Sequence, residues 1–172
     1  MQALLLVMGF VLATKPFAEA QQAVLLVRHA DTSRQEAMSN PDIPLTEAGQ
    51  RRALALASLL KESGVNVIYT TGMIRTVKTA EPLAKLLAIE PRIYPQLRPG
   101  YKPKDVENFA NLLRTEHPRD IVLAVLHSNS GPALIKALGH PVEIKIPETE
   151  FDNLFVITPK PDSPPTVLRL RY

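Results

Sequence analysis

The chain has 172 residues, 45% hydrophobic and 22% charged, which suffices for one folded domain with a central sheet covered by helices and excludes intrinsic disorder. Its 20 Lys and Arg against 17 Asp and Glu leave a net charge of +3 without any dense basic run, which argues against a nucleic-acid partner and suits a small anionic ligand. The lack of cysteine excludes disulfides, thiol catalysis and cysteine-ligated metals together.

The first twenty residues differ from the rest. Residues 3–13 form an apolar stretch of the length of a signal-peptide core, and Ala18, Glu19 and Ala20 fit the small-x-small cleavage rule. The stretch is short for a membrane span. No Lys or Arg precedes it, where export signals carry positive charge. Residues 1–20 are read as a signal peptide with Gln21 as the mature N-terminus, which predicts a periplasmic or secreted protein with no stable membrane insertion. A buried N-terminal helix in a cytoplasmic protein is the alternative.

Beyond residue 20, strand and helix patterns alternate. Val24, Leu25, Leu26 and Val27 form the continuous apolar run of a buried parallel strand, and it delivers Arg28 and His29 to its carboxyl end. Chemistry in open α/β sheets collects just beyond such strand ends. Residues 31–44 are polar and aperiodic and read as a long loop. Thr46 is a good N-cap for a helix to about residue 62, with Ala53, Leu56, Ala57 and Leu60 on one face. Residues 65–69 read as the second strand. A helix follows with Met73, Ile74, Val77 and Ala80, in which Pro82 is expected to make a kink or start a second helix. Residues 92–94 suit a short strand and residues 103–116 a further helix, with Val106, Phe109, Leu112 and Leu113 inward. Residues 120–126 are another apolar strand, and His127 ends it, followed by Ser128, Asn129 and Ser130. A helix over 132–138 stops at Gly139. Residues 151–158 and 166–172 are strand-like, and the prolines between them predict an antiparallel edge hairpin. The fold expected is α/β: a three-layer α/β/α sandwich with a mostly parallel central sheet and an antiparallel C-terminal edge hairpin.

This order brings Arg28, His29, Arg75 and His127 to one rim. Two arginines and two histidines without grouped carboxylates suit an anion rather than a metal. Guanidinium groups hold phosphate through paired hydrogen bonds. The backbone N–H groups of Ser128, Asn129 and Ser130, opening a helix, are expected to add to the same anion site.

Residues Leu26 to Ala30 resemble the opening motif of the histidine phosphatase superfamily, in its phosphoglycerate-mutase-like branch. Residues 44–49 resemble its second block and residues 69–84, with Arg75, its third. His127, Ser128 and Asn129 with residues 132–135 resemble the block around the second histidine. The four blocks follow in order over nearly all of residues 21–172, read as one histidine phosphatase-like domain. The resemblance implies a metal-independent, cofactor-free phosphatase in which His29 is the nucleophile and becomes phosphorylated. It also implies that Arg28, Arg75, His127 and Ser128 hold the phosphoryl group. The substrate expected is a small phosphorylated molecule or a phosphorylated protein side chain.

The chain departs from the family in two places. Where mutase-like relatives carry a glutamate, this sequence has Arg98 and Pro99, so the proton donor lies elsewhere, or a substrate with a good leaving group such as phosphohistidine needs none. Asp31, Glu150 and Asp152 are the candidates, Glu150 slightly favoured, with Asp105 and Glu107 explained by a solvated helix face. Where relatives carry glycine before the second histidine, this chain has Leu126, expected to narrow the pocket or turn His127. His117 and His140, beside prolines, are expected at the surface. Arg51, Arg52, Lys102 and Lys104 are expected to be solvated charges, the two lysines alternatively guiding an anionic substrate. The other readings are a catalytically weak or inactive phosphate-binding module of the same fold and, less well supported, a phosphoglycerate mutase.

Overall fold

The structure, a computed structural model, describes residues 23–33, 42–160 and 162–172. The signal-peptide reading of residues 1–20, and residues 34–41 of the expected loop, lie outside the described residues. Among the described residues there are six strands: β1 (Ala23–Arg28), β2 (Val67–Thr70), β3 (Arg92–Ile93), β4 (Ile121–Leu126), β5 (Asn153–Lys160) and β6 (Ser163–Arg171). Four α-helices alternate with them: α1 (Glu47–Leu60), α2 (Ile74–Leu87), α3 (Pro103–Glu116) and α4 (Ser130–Ala137). The sheet order is β3-β2-β4-β1-β5-β6. Strands β1 to β4 pair in parallel, while β5 lies antiparallel to β1 and β6 antiparallel to β5. This is the α/β sandwich expected from the sequence.

The apolar runs are continuous because β1 and β4 are covered on both faces. Successive side chains alternate across a strand. Val24 and Leu26 of β1 therefore join Val106, Phe109 and Leu113 of α3 and Leu134 and Ile135 of α4 in one core. Leu25 and Val27 join Leu56 and Leu60 of α1 and Leu83 and Ala84 of α2 in the other. Leu126 is 1% exposed and belongs to the α3/α4 core, so it does not narrow the pocket as the sequence suggested.

Several boundaries differ from expectation for local reasons. Helix α2 runs on past Pro82 to Leu87, so the proline starts no second helix. It ends at Ala88, which is held in the left-handed region at φ 53° with its N–H on the carbonyls of Ala84 and Lys85. The last two strands reach further into the proline-rich turn than the pattern implied. Pro164 and Pro165 lie on the edge strand β6, and Pro159 lies where the β5–β6 register slips, between Thr158 and Lys160. Edge strands and bulges are where a residue without an N–H is tolerated.

His117 is not at the surface. It is 3% exposed, with Nδ1–H donated to Asp120 at 2.7 Å and Nε2 2.9 Å from the Tyr69 hydroxyl beneath the sheet. His140 is half-buried rather than exposed. Arg52 also departs from expectation: it pairs with Asp31 at 2.6 Å and donates to the Tyr172 carbonyl at 3.1 Å, tying the chain end to the start of the loop. Arg51, Lys102 and Lys104 are exposed, as expected.

Candidate active site

Strand β1 ends at Arg28, and the His29 N–H donates to the Leu126 carbonyl at 2.9 Å, one step beyond the β1–β4 ladder. That bond places His29 and His127 side by side, their ring centroids 5.4 Å apart and edge to face. The turn after His29 is fixed from α2. The Thr79 hydroxyl donates to the Arg75 carbonyl at 2.7 Å and accepts the Ala30 N–H at 2.8 Å. Arg75 lies in the first turn of α2 and is 8% exposed. On the other side of the loop, Gly49 lets α1 press against the Asp31 backbone, where a Cβ would have no room. Thr46 caps α1 by accepting from the Gly49 N–H at 3.1 Å.

These elements enclose a pocket of about 560 Å³ whose lining includes Arg28, His29, Arg75, Arg98, His127 and Glu148. His29 is 5% exposed. Its Nδ1 lies 2.9 Å from the Ala30 carbonyl, which can only accept, so the proton of the neutral ring sits on Nδ1 and Nε2 keeps its lone pair. Burial first, then the Arg28 and Arg75 charges, push the His29 pKa down to about 3. The imidazole is therefore neutral at pH 7, the form in which it is a nucleophile.

A chain of hydroxyls sets the tautomer of His127. Thr76 donates to the Met73 carbonyl at 2.9 Å, so it accepts from Thr71 at 3.2 Å; Thr71 in turn accepts from His127 Nε2 at 3.0 Å. His127 Nδ1 is left buried without a hydrogen-bond partner. Burial, then His29, Arg75, Arg28 and Arg98, hold its pKa down to about 2.

Arg28 is clamped. Nη1 donates to the carbonyls of Pro147 and Glu150 at 3.0 and 3.1 Å, Nη2 pairs with the Glu148 carboxylate at 2.5 Å, and Nε is buried without a partner. Its guanidinium carbon lies 4.1 Å over the Phe151 ring centroid, a cation–π geometry. Burial lowers the pKa of Arg28 while Glu148 raises it. Both arginines keep their charge, because a guanidinium does not titrate in the working range.

The structure thus brings Arg28, His29, Arg75, His127 and Ser128 to one pocket. It takes Glu150 out of it. The Glu150 carboxylate is held by Asn153 at 3.0 Å, Arg169 at 2.8 Å and Arg171 at 2.9 Å, and the Asn153 and Arg171 hydrogen bonds lower its pKa, which favours the charged form rather than a proton donor. The α4 N-terminus is also spent internally. The Ser130 N–H is taken by the Asn129 side chain at 2.8 Å and the Gly131 N–H by the His127 carbonyl at 3.0 Å, so the helix start offers less to an anion than expected. Sequence reasoning missed Glu148 and Phe151. Arg98 was seen only as a departure; it lines the pocket and donates Nε–H to the Thr71 carbonyl at 2.9 Å. Among the described residues, no group of three or more His, Cys, Asp and Glu is placed to hold a metal ion, and no helix is long and apolar enough to cross a membrane.

Residues 24–99 match the family model of the histidine phosphatase superfamily, branch 1. The chain is 36% identical over 78 residues to a protein of Cronobacter sakazakii named "Probable phosphoglycerate mutase GpmB", a match spanning 44% of this chain and 36% of that one. It therefore covers about a third of that relative's length. Two solved structures share its fold. One is the protein histidine phosphatase SixA complexed with tungstate, with a TM-score of 0.71, 21% identity, and coverage of 87% of this chain and 96% of that one. The other is the mycobacterial glucosyl-3-phosphoglycerate phosphatase Rv2419c, with a TM-score of 0.64, 18% identity, and coverage of 87% and 97%.

Proposed function

From the match of residues 24–99 to the histidine phosphatase superfamily, branch 1, we propose that the protein is a metal-independent phosphatase. It hydrolyses a phosphomonoester or a phosphohistidine through a covalent intermediate on His29. The observation that carries the reading is the state of His29: a neutral imidazole with Nδ1–H committed to the Ala30 carbonyl and Nε2 bearing a free lone pair, between Arg28 and Arg75. Nε2 attacks phosphorus, the N–P bond forms and the bond to the leaving group breaks. Water then attacks the phosphohistidine, the N–P bond breaks, and inorganic phosphate is released.

Arg28 and Arg75 hold the phosphoryl oxygens and stabilise the charge that develops on them, as positioned cations do in phosphoryl transfer. Two buried nitrogens without partners, Arg28 Nε and His127 Nδ1, support an anion in this place. Arg28 Nε–H is a donor that a phosphoryl oxygen satisfies directly, and His127 Nδ1 becomes a donor when a bound dianion brings a proton to the ring. The substrate proposed is a small phosphorylated molecule or a phosphorylated protein side chain, met in the periplasm or outside the cell.

Arg98, standing where mutase-like relatives carry a glutamate, favours the second reading, a phosphate-binding module without turnover. The purified protein with p-nitrophenyl phosphate in excess EDTA, beside His29→Ala, separates the two. Turnover that vanishes in the variant is expected. No turnover, with tungstate still bound by both proteins, would favour the binding module, and turnover abolished by EDTA would overturn the metal-free mechanism.

A further inference from the structure

The three carboxylates to which the sequence points as proton donors are each committed to an arginine. Asp31 is held by Arg52 at 2.6 and 3.4 Å, Glu150 by Arg169 and Arg171 at 2.8 and 2.9 Å, and Asp152 by Arg171 at 2.5 Å. Among the described residues that line the pocket, only Glu148 carries a carboxyl group. Its place in the chain is set by the site itself. Glu148 lies in a turn closed by the Glu150 N–H on the Pro147 carbonyl at 2.9 Å, and the carbonyls of both Pro147 and Glu150 accept from Arg28 Nη1. The backbone is thereby pinned to the phosphate-binding arginine while the Glu148 side chain remains 62% exposed. Its Oε2 accepts from Arg28 Nη2 and its Oε1 from Ser128 Oγ, both at 2.5 Å.

We propose that Glu148 is the general acid and base of the reaction; this rests on the phosphatase reading above. Arg28 Nη2 and Ser128 Oγ are the donors that a phosphoryl group also takes. A phosphoryl dianion that engages them releases the carboxylate and stands beside it, and two such anions a few ångströms apart favour a proton on the carboxyl. In the first step His29 Nε2 forms its bond to phosphorus, the bond between phosphorus and the leaving oxygen breaks, and the Glu148 proton passes to that oxygen. In the second step the Glu148 carboxylate takes a proton from the water that attacks phosphorus, and the N–P bond breaks back to neutral His29. Glu148 ends protonated, as it began, and no co-reactant is consumed.

The test compares leaving groups. Glu148→Gln keeps the shape and one of the two acceptor oxygens but cannot supply the proton. It is expected to lower kcat/KM for glycerol phosphate, whose alkoxide must be protonated, by about 10²–10⁴-fold. The loss on p-nitrophenyl phosphate, whose nitrophenolate departs without a proton, should be about tenfold or more smaller. Glu148→Asp is expected to keep part of the glycerol phosphate activity that Gln loses, and thermal unfolding of each variant should match the wild type. Equal losses on both substrates would overturn the assignment. So would a gain on both, which would make Glu148 only a competitor for Arg28. A wild type that turns over neither substrate would overturn the phosphatase reading along with it, whereas an active wild type with parallel losses would overturn Glu148 alone.

Discussion

Lowering the pH from 6 to 5 should destabilise the protein steeply through His29 and His127. In the unfolded chain both titrate near 6.5; in the fold, burial and the neighbouring arginines hold them down to about 3 and about 2. Between those limits the unfolded state binds a proton that the folded state refuses, so stability rises with pH across the window and falls as acid is added. Integrated from pH 6 to 5, an imidazole with these two pKa values contributes about 1.2 kcal/mol of lost stability, and the pair about 2.4 kcal/mol. For a chain of this size that is roughly 5–10 °C in Tm. Urea unfolding at pH 7, 6 and 5, in buffers free of phosphate and sulfate, measures it. His29→Gln and His127→Gln each remove one titrating ring, so each should remove about half of the slope whatever it does to absolute stability. A stability flat between pH 6 and 5, or a slope untouched by either substitution, would refute the claim that these rings are held neutral. The carboxylates whose pKa values are lowered by hydrogen bonding, Asp120, Glu81 and Glu150, titrate in a lower window and do not imitate the effect.

Other substitutions probe the support of the site. Thr79→Val keeps the volume but leaves the buried Ala30 N–H without its acceptor, at an expected cost of about 1–3 kcal/mol in denaturant unfolding. Because that bond positions the turn after His29, turnover should fall with it. A variant as stable and as active as the wild type would mean that Thr79 positions nothing. Ala88→Gly relieves the left-handed conformation at the end of α2 and should raise stability by up to about 1 kcal/mol, read as a Tm increase of a few degrees, with turnover unchanged. Gly49→Ala forces α1 away from the Asp31 backbone and should lower Tm more than any alanine substitution on the exposed face of the same helix.

The features that local pattern dictates were legible in the sequence. Helix α3 spans the expected residues because Pro103 opens it and Pro118 follows its end. Arg28, His29, Arg75 and His127 converge because parallel strands β1, β2 and β4 all end on one rim, which the alternation of apolar runs and helices already implies. What the sequence hid depends on contacts between distant segments. Residues 139–152 carry no period, so nothing marked Glu148 as the residue that the Pro147 and Glu150 carbonyls would fix against Arg28, some 120 positions earlier. His117 was misplaced because a histidine before proline reads as a loop. The available signal was Asp120 three residues on, the spacing at which the two side chains meet.

The electrostatics of the pocket resolve an apparent conflict in its composition. A strongly cationic site is what a phosphoryl dianion needs, yet a histidine nucleophile must be uncharged to attack. Here the two demands are met by one arrangement. The Arg28 and Arg75 guanidinium groups stay protonated despite burial, and their fields add to burial in keeping His29 and His127 neutral. Before an anion binds, the positive charge of the pocket is thus carried by groups that do not titrate, and the titratable rings keep their lone pairs. Replacing either arginine with a neutral residue should therefore act twice: it weakens anion binding, and it lets the His29 pKa rise toward its ordinary value. The second effect appears as an acid limb of the kcat/KM profile displaced to higher pH in Arg75→Gln, and a limb that stays in place would mean that burial alone keeps the nucleophile neutral.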